Sequence, residues 1–341
     1  NSDILKALSR VNIKGAIFQD GIKWAGFTGE LEATLFDKQE VFTTRGDENP
    51  VFTYNLWDNA LFRGKANVVD GSFEFQFVIP KNIDLQTGLG KITLYANTKN
   101  LEDAQGSLTN LKIGKSEINP TPDNVGPKIK LFMGDTTYVD GGLIGPNTTL
   151  VARLQDENGI NISKRDKNHN LTAVLDDSIE YIINDYYVSD RNNYSQGFAL
   201  FPLSDLKKGK HTVTVGASDT YNNRSTSKID FVVTDGNQIV IDDFVNYPNP
   251  FSDYTTLEFV HSRVGEDLEA DLKIYDITGK LMNTMLFSIP VSQYRVTLDS
   301  WNGEDTQGNK LGTGVYLAKL SVRSLLDGSK NEQFTKLIIL N

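Results

Sequence analysis

The stretch VVDGSFEFQFVIP, Val68 to Pro80, constrains the fold more than any other. Phe73, Phe75, Phe77 and Ile79 share one face of an extended chain, while Glu74 and Gln76 point the other way, because successive strand side chains alternate. Asp70-Gly71 supplies the hairpin turn ahead of it. The same period of two recurs in GELEATLFD (Gly29 to Asp37) and KITLYA (Lys91 to Ala96), with little sustained 3.6-residue periodicity to compete with it. Residues 1–118 therefore read as one β-sandwich, led in by a short helical or linker segment, SDILKALSR.

INPTPDNVGPK, Ile118 to Lys128, gathers three prolines with Asn, Asp and Gly. That composition cannot continue a central strand, so a domain boundary is expected there. LVARLQD, LTAVLDD, HTVTVGASD and KIDFVVTDG then alternate again, predicting an immunoglobulin-like sandwich over 119–236. The segment IINDYYVSDRNNYSQG between them reads as a loop or irregular edge. TTLEFV, ADLKIYD, YRVTLD, GVYLAKLSV and FTKLIIL predict a third sandwich over 237–341, with Leu272 and Ile274 facing one way, Lys273 and Tyr275 the other, and Thr278-Gly279 turning the chain. The expected fold class is all-β, three tandem β-sandwich (immunoglobulin-like) domains. No short repeat points to a solenoid or propeller.

Composition narrows the function. The 34 basic and 44 acidic residues leave a net charge of -10, which argues against nucleic acid as a partner. The absence of cysteine excludes a thiol nucleophile, a disulfide framework and a Cys-ligated zinc within these residues. No apolar run is long enough to span a bilayer, and the chain opens on Asn1 without a signal-peptide pattern, so it is expected to be a piece of something longer.

A search for chemistry returns little. His169, His211 and His261 lack metal-ligand spacing and read as exposed or hydrogen-bonded strand-end residues. Neither a G-x-S-x-G elbow nor His-Glu-x-x-His is present. The adjacent acids Asp156-Glu157, Asp176-Asp177 and Asp242-Asp243 point to opposite faces of a strand and form no acid/base pair. No catalytic residue and no cofactor are expected. In DENGIN, Asp156, Asn158 and Asn161 form either a plain polar turn or a source of oxygens for calcium, although the glycine comes too early for an EF-hand loop.

Three stretches near the C-terminus are more specific. In NYPNPF, Pro248 and Pro250 fix φ and remove backbone donors, giving a rigid extended lead-in that Phe251 staples to the sandwich. WNGEDTQGNKLGTGVYLAKL, Trp301 to Leu320, reads as a long glycine-rich hairpin with Trp301 capping a sandwich edge. The final KLIILN is apolar on both faces from Leu337 to Leu340, so that strand is expected to be central in its sheet or covered by a partner.

YPNPF, LKIYDITGKLM, GTGVYLAKL and TKLIILN, in this order, resemble the C-terminal sorting domains of proteins exported by the type IX secretion system of Bacteroidetes. The resemblance implies a secretion signal that stays folded as a sandwich and is bound by an outer-membrane shuttle barrel, PorV. On the matching positions it assigns sorting or partner-binding roles to Pro248, Asn249, Pro250, Phe251, Gly279, Lys280, Gly314, Val315, Tyr316, Lys336, Leu337, Ile338, Ile339 and Leu340. Terminal-strand augmentation or loop capture is the expected mode of binding.

Upstream, LFRGKANVVDGSFEFQFVIPKNI, LQTGLGKITLYA, LQDENGINIS, IINDYYVSDRNNYSQG and LKKGKHTVTVGASDTYNNRS resemble the region following the catalytic domain in gingipain-related, PorU-like sortases. In that family a caspase-like domain with a Cys/His pair cleaves sorting domains from cargo and joins the cargo to anionic lipopolysaccharide. The resemblance implies an outer-membrane-associated, cell-surface location reached through the periplasm, with further partners in an attachment complex and cargo bound by the catalytic domain. No catalytic residue carries over. The joint VTDGNQIVIDDFVNY, Val233 to Tyr247, is short and already alternates at Ile239 and Ile241, which favours a retained sorting domain over a cleavable one. The alternative is an exported adhesin or binding protein that uses loop aromatics Tyr186, Tyr187 and Tyr194.

Overall fold

The computed structural model describes residues 4–47, 50–100 and 102–340. Ser2 and Asp3 of the leading segment and Asn341 of the terminal motif lie outside the described residues. Strands make up 58% of the described residues, and the only helical elements among them are two 3-10 turns, Lys167–His169 and Asn184–Tyr186, so the fold is all-β. No helix among the described residues is long and apolar enough to cross a membrane.

The chain divides into two compact units, one of residues 1–131, 152–201 and 213–228, the other of 132–151, 202–212 and 229–341. The first is built on the alternation of residues 68–80. Phe75, Phe77 and Ile79 are at most 6% exposed, and Phe62 stacks on Phe77 with ring centroids 4.5 Å apart. Leu31, Ala33 and Leu35 of strand Gly29–Phe36 and Ile92 and Ala96 of strand Gly88–Thr98 complete that core. Burial of such side chains contributes about 1.5–3 kcal/mol each. Asp70 and Gly71 both take positive φ, 48° and 68°, as a two-residue hairpin turn of this kind requires.

Two expectations change. The leading segment is not helical: Leu5–Ala7 is a strand, parallel to Asp103–Ser116. It is too short to nucleate a helix, and Ala7 alternates into the core. The tyrosine-rich segment is not a loop either. Tyr187–Asp190 lies inside the large sheet, antiparallel to Asn193–Leu203 on one side and bridged in parallel to Ala60–Val69 through Ser189 and Gly64 on the other. Tyr187 and Ser189 are both buried, but their polar neighbours carry the composition of a turn.

The second unit contains a sandwich of two sheets. Strands Ile241–Tyr247, Thr256–His261 and Arg295–Thr297 form one sheet; Leu281–Ile289, Leu268–Asp276, Gly314–Ser324 and Lys330–Ile339, in that order, form the other. Leu257, Phe259, Leu272, Ile274, Ala318, Leu320 and Leu337 fill the space between them, each fully buried. Residues 132–151 belong to the same unit and close one side of this sandwich. Asp135 Oδ2 accepts from Tyr294 N–H at 2.6 Å, Thr137 Oγ1 accepts from Arg295 N–H at 3.1 Å, and the rings of Tyr138 and Tyr294 lie 4.8 Å apart.

Gly64 tests the contact that carries the tyrosine-rich strand. A Cβ there would meet Ser189 Oγ at 2.1 Å and the Phe62 ring at 2.5 Å. Gly64→Val is expected to lower stability by about 1–3 kcal/mol, and Ser189→Gly in the same chain to restore part of it. Urea denaturation of the two variants checks this; additive effects would show that the two strands do not meet at these residues.

Candidate functional site

The residues matched to the sorting motifs collect at one end of the second unit's sandwich. Register aligns them: Gly314 lies opposite Ile339, Val315 opposite Ile338 and Tyr316 opposite Leu337, while Asp276 lies opposite Tyr316 on the neighbouring strand. Asp276 N–H donates to Lys280 O at 3.0 Å, which puts the turn containing Gly279 and Lys280 on the same row. Asp276 Oδ1 braces that turn by accepting from the N–H groups of Thr278 and Lys280. Gly279, at φ 86°, adopts the left-handed conformation that side chains resist.

The opening and closing motifs bond to each other. Asn249 Nδ2 donates to Lys336 O at 2.7 Å, and its Oδ1 accepts from Ile338 N–H at 3.0 Å. Phe251 N–H then donates to Ile338 O at 3.0 Å, and Leu340 N–H donates to Phe251 O at 2.8 Å. Phe251 itself is buried, edge-on to Trp301 with centroids 5.8 Å apart. Rather than an extended lead-in, residues 248–250 form a turn with both X-Pro bonds cis, held by Thr255 Oγ1 donating to Pro248 O at 2.7 Å. Pro250 and Asn249 remain exposed at its surface.

The last strand is therefore neither central nor waiting for a partner along its whole length. Lys330–Ile339 is an edge strand whose outer backbone is covered, from Lys336 to Leu340, by the chain's own 249–251 segment. Leu337 and Ile339 point into the core, while Ile338 and Leu340 face outward. A strand adding to this stretch would have to displace Asn249 and Phe251.

The polar turn DENGIN also resolves. Asp156 is buried, and its Oδ1 accepts from Asn158 N–H at 2.9 Å. Asn158 Nδ2 donates to Asp123 Oδ2 at 2.7 Å. Asn161 turns away: its Nδ2 donates to Asn82 and Asn222, and its Oδ1 accepts from Ser163 N–H. Two carboxylates from distant positions, Asp123 and Asp219, bring oxygens within 4.8 Å of Asp156. Among the described residues these three are the group that could hold a hard cation. Local spacing had no means of finding them, since they join only through the fold.

Burial, reinforced by Asp219, Asp123 and Glu157, raises Asp156 from 3.8 to about 7 against the opposing Asn158 hydrogen bond. His261 shifts the other way. It is 1% exposed, not surface-lying, and burial lowers it from 6.5 to about 4. Its Nδ1 accepts from Arg263 N–H, which leaves Nε2–H to donate to Gln293 O, so both ring nitrogens are satisfied in the neutral form.

The two groups give opposite pH dependences. Asp156, raised in the folded state, contributes stability that is complete below pH 3.8 and is lost as pH rises through about 7. His261, depressed in the folded state, contributes stability that is complete above pH 6.5 and is lost as pH falls through about 4. Asp156→Asn keeps the acceptor for Asn158 and removes the charge. It is expected to raise the unfolding temperature at pH 8 and leave it nearly unchanged at pH 4. Scanning calorimetry of the variant and the parent chain checks this; a lower unfolding temperature at pH 8 would contradict it.

Comparison with known proteins places these features. Residues 246–339 match the family described as the secretion system C-terminal sorting domain. Nearly the whole chain, 99%, aligns at 29% identity with 32% of the chain of dimeric latent PorU from Porphyromonas gingivalis, with a TM-score of 0.41. A tetra-tandem repeat from the extending region of a large adhesion protein aligns over 99% of the chain and 72% of its own at 12% identity, TM-score 0.24. Fibronectin(III)-like modules of Clostridium thermocellum CbhA align over 62% of the chain and 94% of their own at 8% identity, TM-score 0.25. No curated protein matches. A sorting domain of this type implies an exported, cell-surface-associated protein. Residues 246–339, with their bonded opening and closing motifs, match the family of secretion-system C-terminal sorting domains, and the chain as a whole is similar to part of PorU.

Proposed function

We propose that this chain is the non-catalytic β-region and retained sorting domain of a cell-surface sortase. A caspase-like domain elsewhere in the same polypeptide would cleave sorting domains from cargo and attach the cargo to lipopolysaccharide. These residues would hold that domain at the outer membrane by docking on a PorV-like barrel, as one member of an attachment complex.

The joint ahead of the sorting domain carries this reading. Between strand Arg224–Val233 and strand Ile241–Tyr247 the chain has no free linker: Thr234 N–H and Oγ1 both donate to Ile144 O, and Ile239 is fully buried in the sandwich core. Arg263 Nη2 donates to Gly236 O at 2.6 Å, and Ser262 N–H donates to Val240 O at 3.0 Å. A protease needs several residues in extended, unpaired form, and these bonds leave only Asp235, Asn237 and Gln238 exposed between anchored neighbours. Such a joint suits a domain that stays attached.

The barrel would grip the end of the sandwich where the motifs meet. Tyr247 and Tyr254, 82% and 58% exposed, stand beside the turn, with Leu340 at the strand end. Because the outer backbone there is already bonded, the grip would be on a folded turn-and-strand surface. The loop aromatics that motivated an adhesin do not form a patch: Tyr187 is buried and Tyr194 packs beneath the Arg10 guanidinium, which leaves Tyr186 exposed.

Fractionation of the producing cells tests the proposal. An antibody against residues 246–339 is expected to find that segment still joined to the membrane-associated protein at the cell surface. A mature form ending before Ile241 would overturn the retained-domain reading and favour cleaved cargo.

A further inference from the structure

We propose that the outer edge of strand Leu281–Ile289 receives a short extended segment of another polypeptide by strand addition. The sandwich's edges carry this independently of the sortase reading. The Lys330–Ile339 edge is closed by Asn249 and Phe251, and further along Asn331 and Gln333 side chains donate to Ile239 O and Ile241 O of the facing sheet's edge strand. The Arg295–Thr297 edge receives Asp135 and Thr137. One edge remains.

Parity shows which groups it offers. Leu325 N–H donates to Asp267 O, so odd-numbered residues of the Leu268–Asp276 strand turn their backbone toward Gly314–Ser324. The even ones, Leu268, Ala270, Leu272 and Ile274, therefore bond Ile289, Phe287, Met285 and Asn283. Thr284, Leu286 and Ser288 direct their N–H and C=O groups outward. Among the described residues none of these six groups has a backbone partner. Leu286 is 81% exposed, and from Leu281 to Tyr294 no residue is charged in a chain of net charge -10. Edge strands are ordinarily blunted by charge, proline or a covering segment. This open stretch has none of the three.

The surroundings choose the occupant. Thr306 N–H donates to Met282 O at 3.1 Å and Asn283 Nδ2 donates to Glu304 O at 2.6 Å, so the 304–306 loop already fills the row beside Met282. Pro290 ends the strand on the other side. Room is left for about five extended residues at strand rise. A second copy fits less well, because its own nine-residue strand would meet that loop and each copy carries a charge of -10. A neutral or basic extended segment meets neither obstacle.

The test uses the full 341-residue chain, deuterated and nitrogen-15 labelled, titrated with the neutral-to-basic strand peptide acetyl-KTVTVTK-amide. Saturable shifts are expected at the amides of Thr284, Leu286 and Ser288. Binding should weaken about tenfold or more for the analogue N-methylated at alternate residues, since it loses the donors that pair. Leu286→Pro removes only an outward N–H and should abolish the shifts; if it fails to fold, Leu286→Lys replaces it as an edge block. Equal binding of the methylated peptide, or shifts elsewhere, would overturn the proposal. Concentration-dependent shifts of the same amides without peptide would overturn it in favour of a second copy.

Discussion

The bonds between Asn249–Phe251 and the last strand are the constraint on which the sorting sandwich depends. An edge strand of alternating Leu337, Ile338, Ile339 and Leu340 would otherwise offer an apolar, unpaired backbone to any chain that met it. Asn249 satisfies one donor and one acceptor with a single amide, and Phe251 satisfies another pair with its backbone. Each such bond contributes about 1 kcal/mol net. The motif that opens the domain thus folds against the motif that closes it.

The same logic separates closed edges from the open one. Residues 132–151 finish the Arg295–Thr297 edge, and the joint at 234–240 is bonded into the same unit, so the sorting domain is continuous with what precedes it. The strand Leu281–Ile289 is left as the place where backbone recognition remains available. A sandwich that closes its terminal strand internally leaves its terminal strand and its open edge on different strands.

Much of the fold was legible because burial demands alternation, and Phe73 to Ile79 and Leu272 to Ile274 satisfy that demand in plain sequence. Asp70-Gly71 and Thr278-Gly279 were legible because few residues accept positive φ. Tyr187–Asp190 was not, since a buried serine beside Gly64 reads as a turn residue when its parallel neighbour is more than a hundred positions away. The Asp123, Asp156 and Asp219 cluster and the neutral, buried His261 were hidden for the same reason: each is a product of long-range packing. The motif residues at both ends of the 246–339 segment stood out in the sequence as a set, but their mutual hydrogen bonds did not, because NYPNPF suggested only stiffness.

Amide hydrogen exchange at Ile338 and Leu340 reads out directly whether the 249–251 segment closes the last strand. Both N–H groups point away from the neighbouring strand yet are bonded to Asn249 Oδ1 and Phe251 O. They are expected to exchange as slowly as amides of the core strand Gly314–Ser324, and Asn249→Ala to release Ile338 while leaving Leu320 protected. Fast exchange of Ile338 and Leu340 in the unaltered chain, at the rate of an exposed edge, would contradict it.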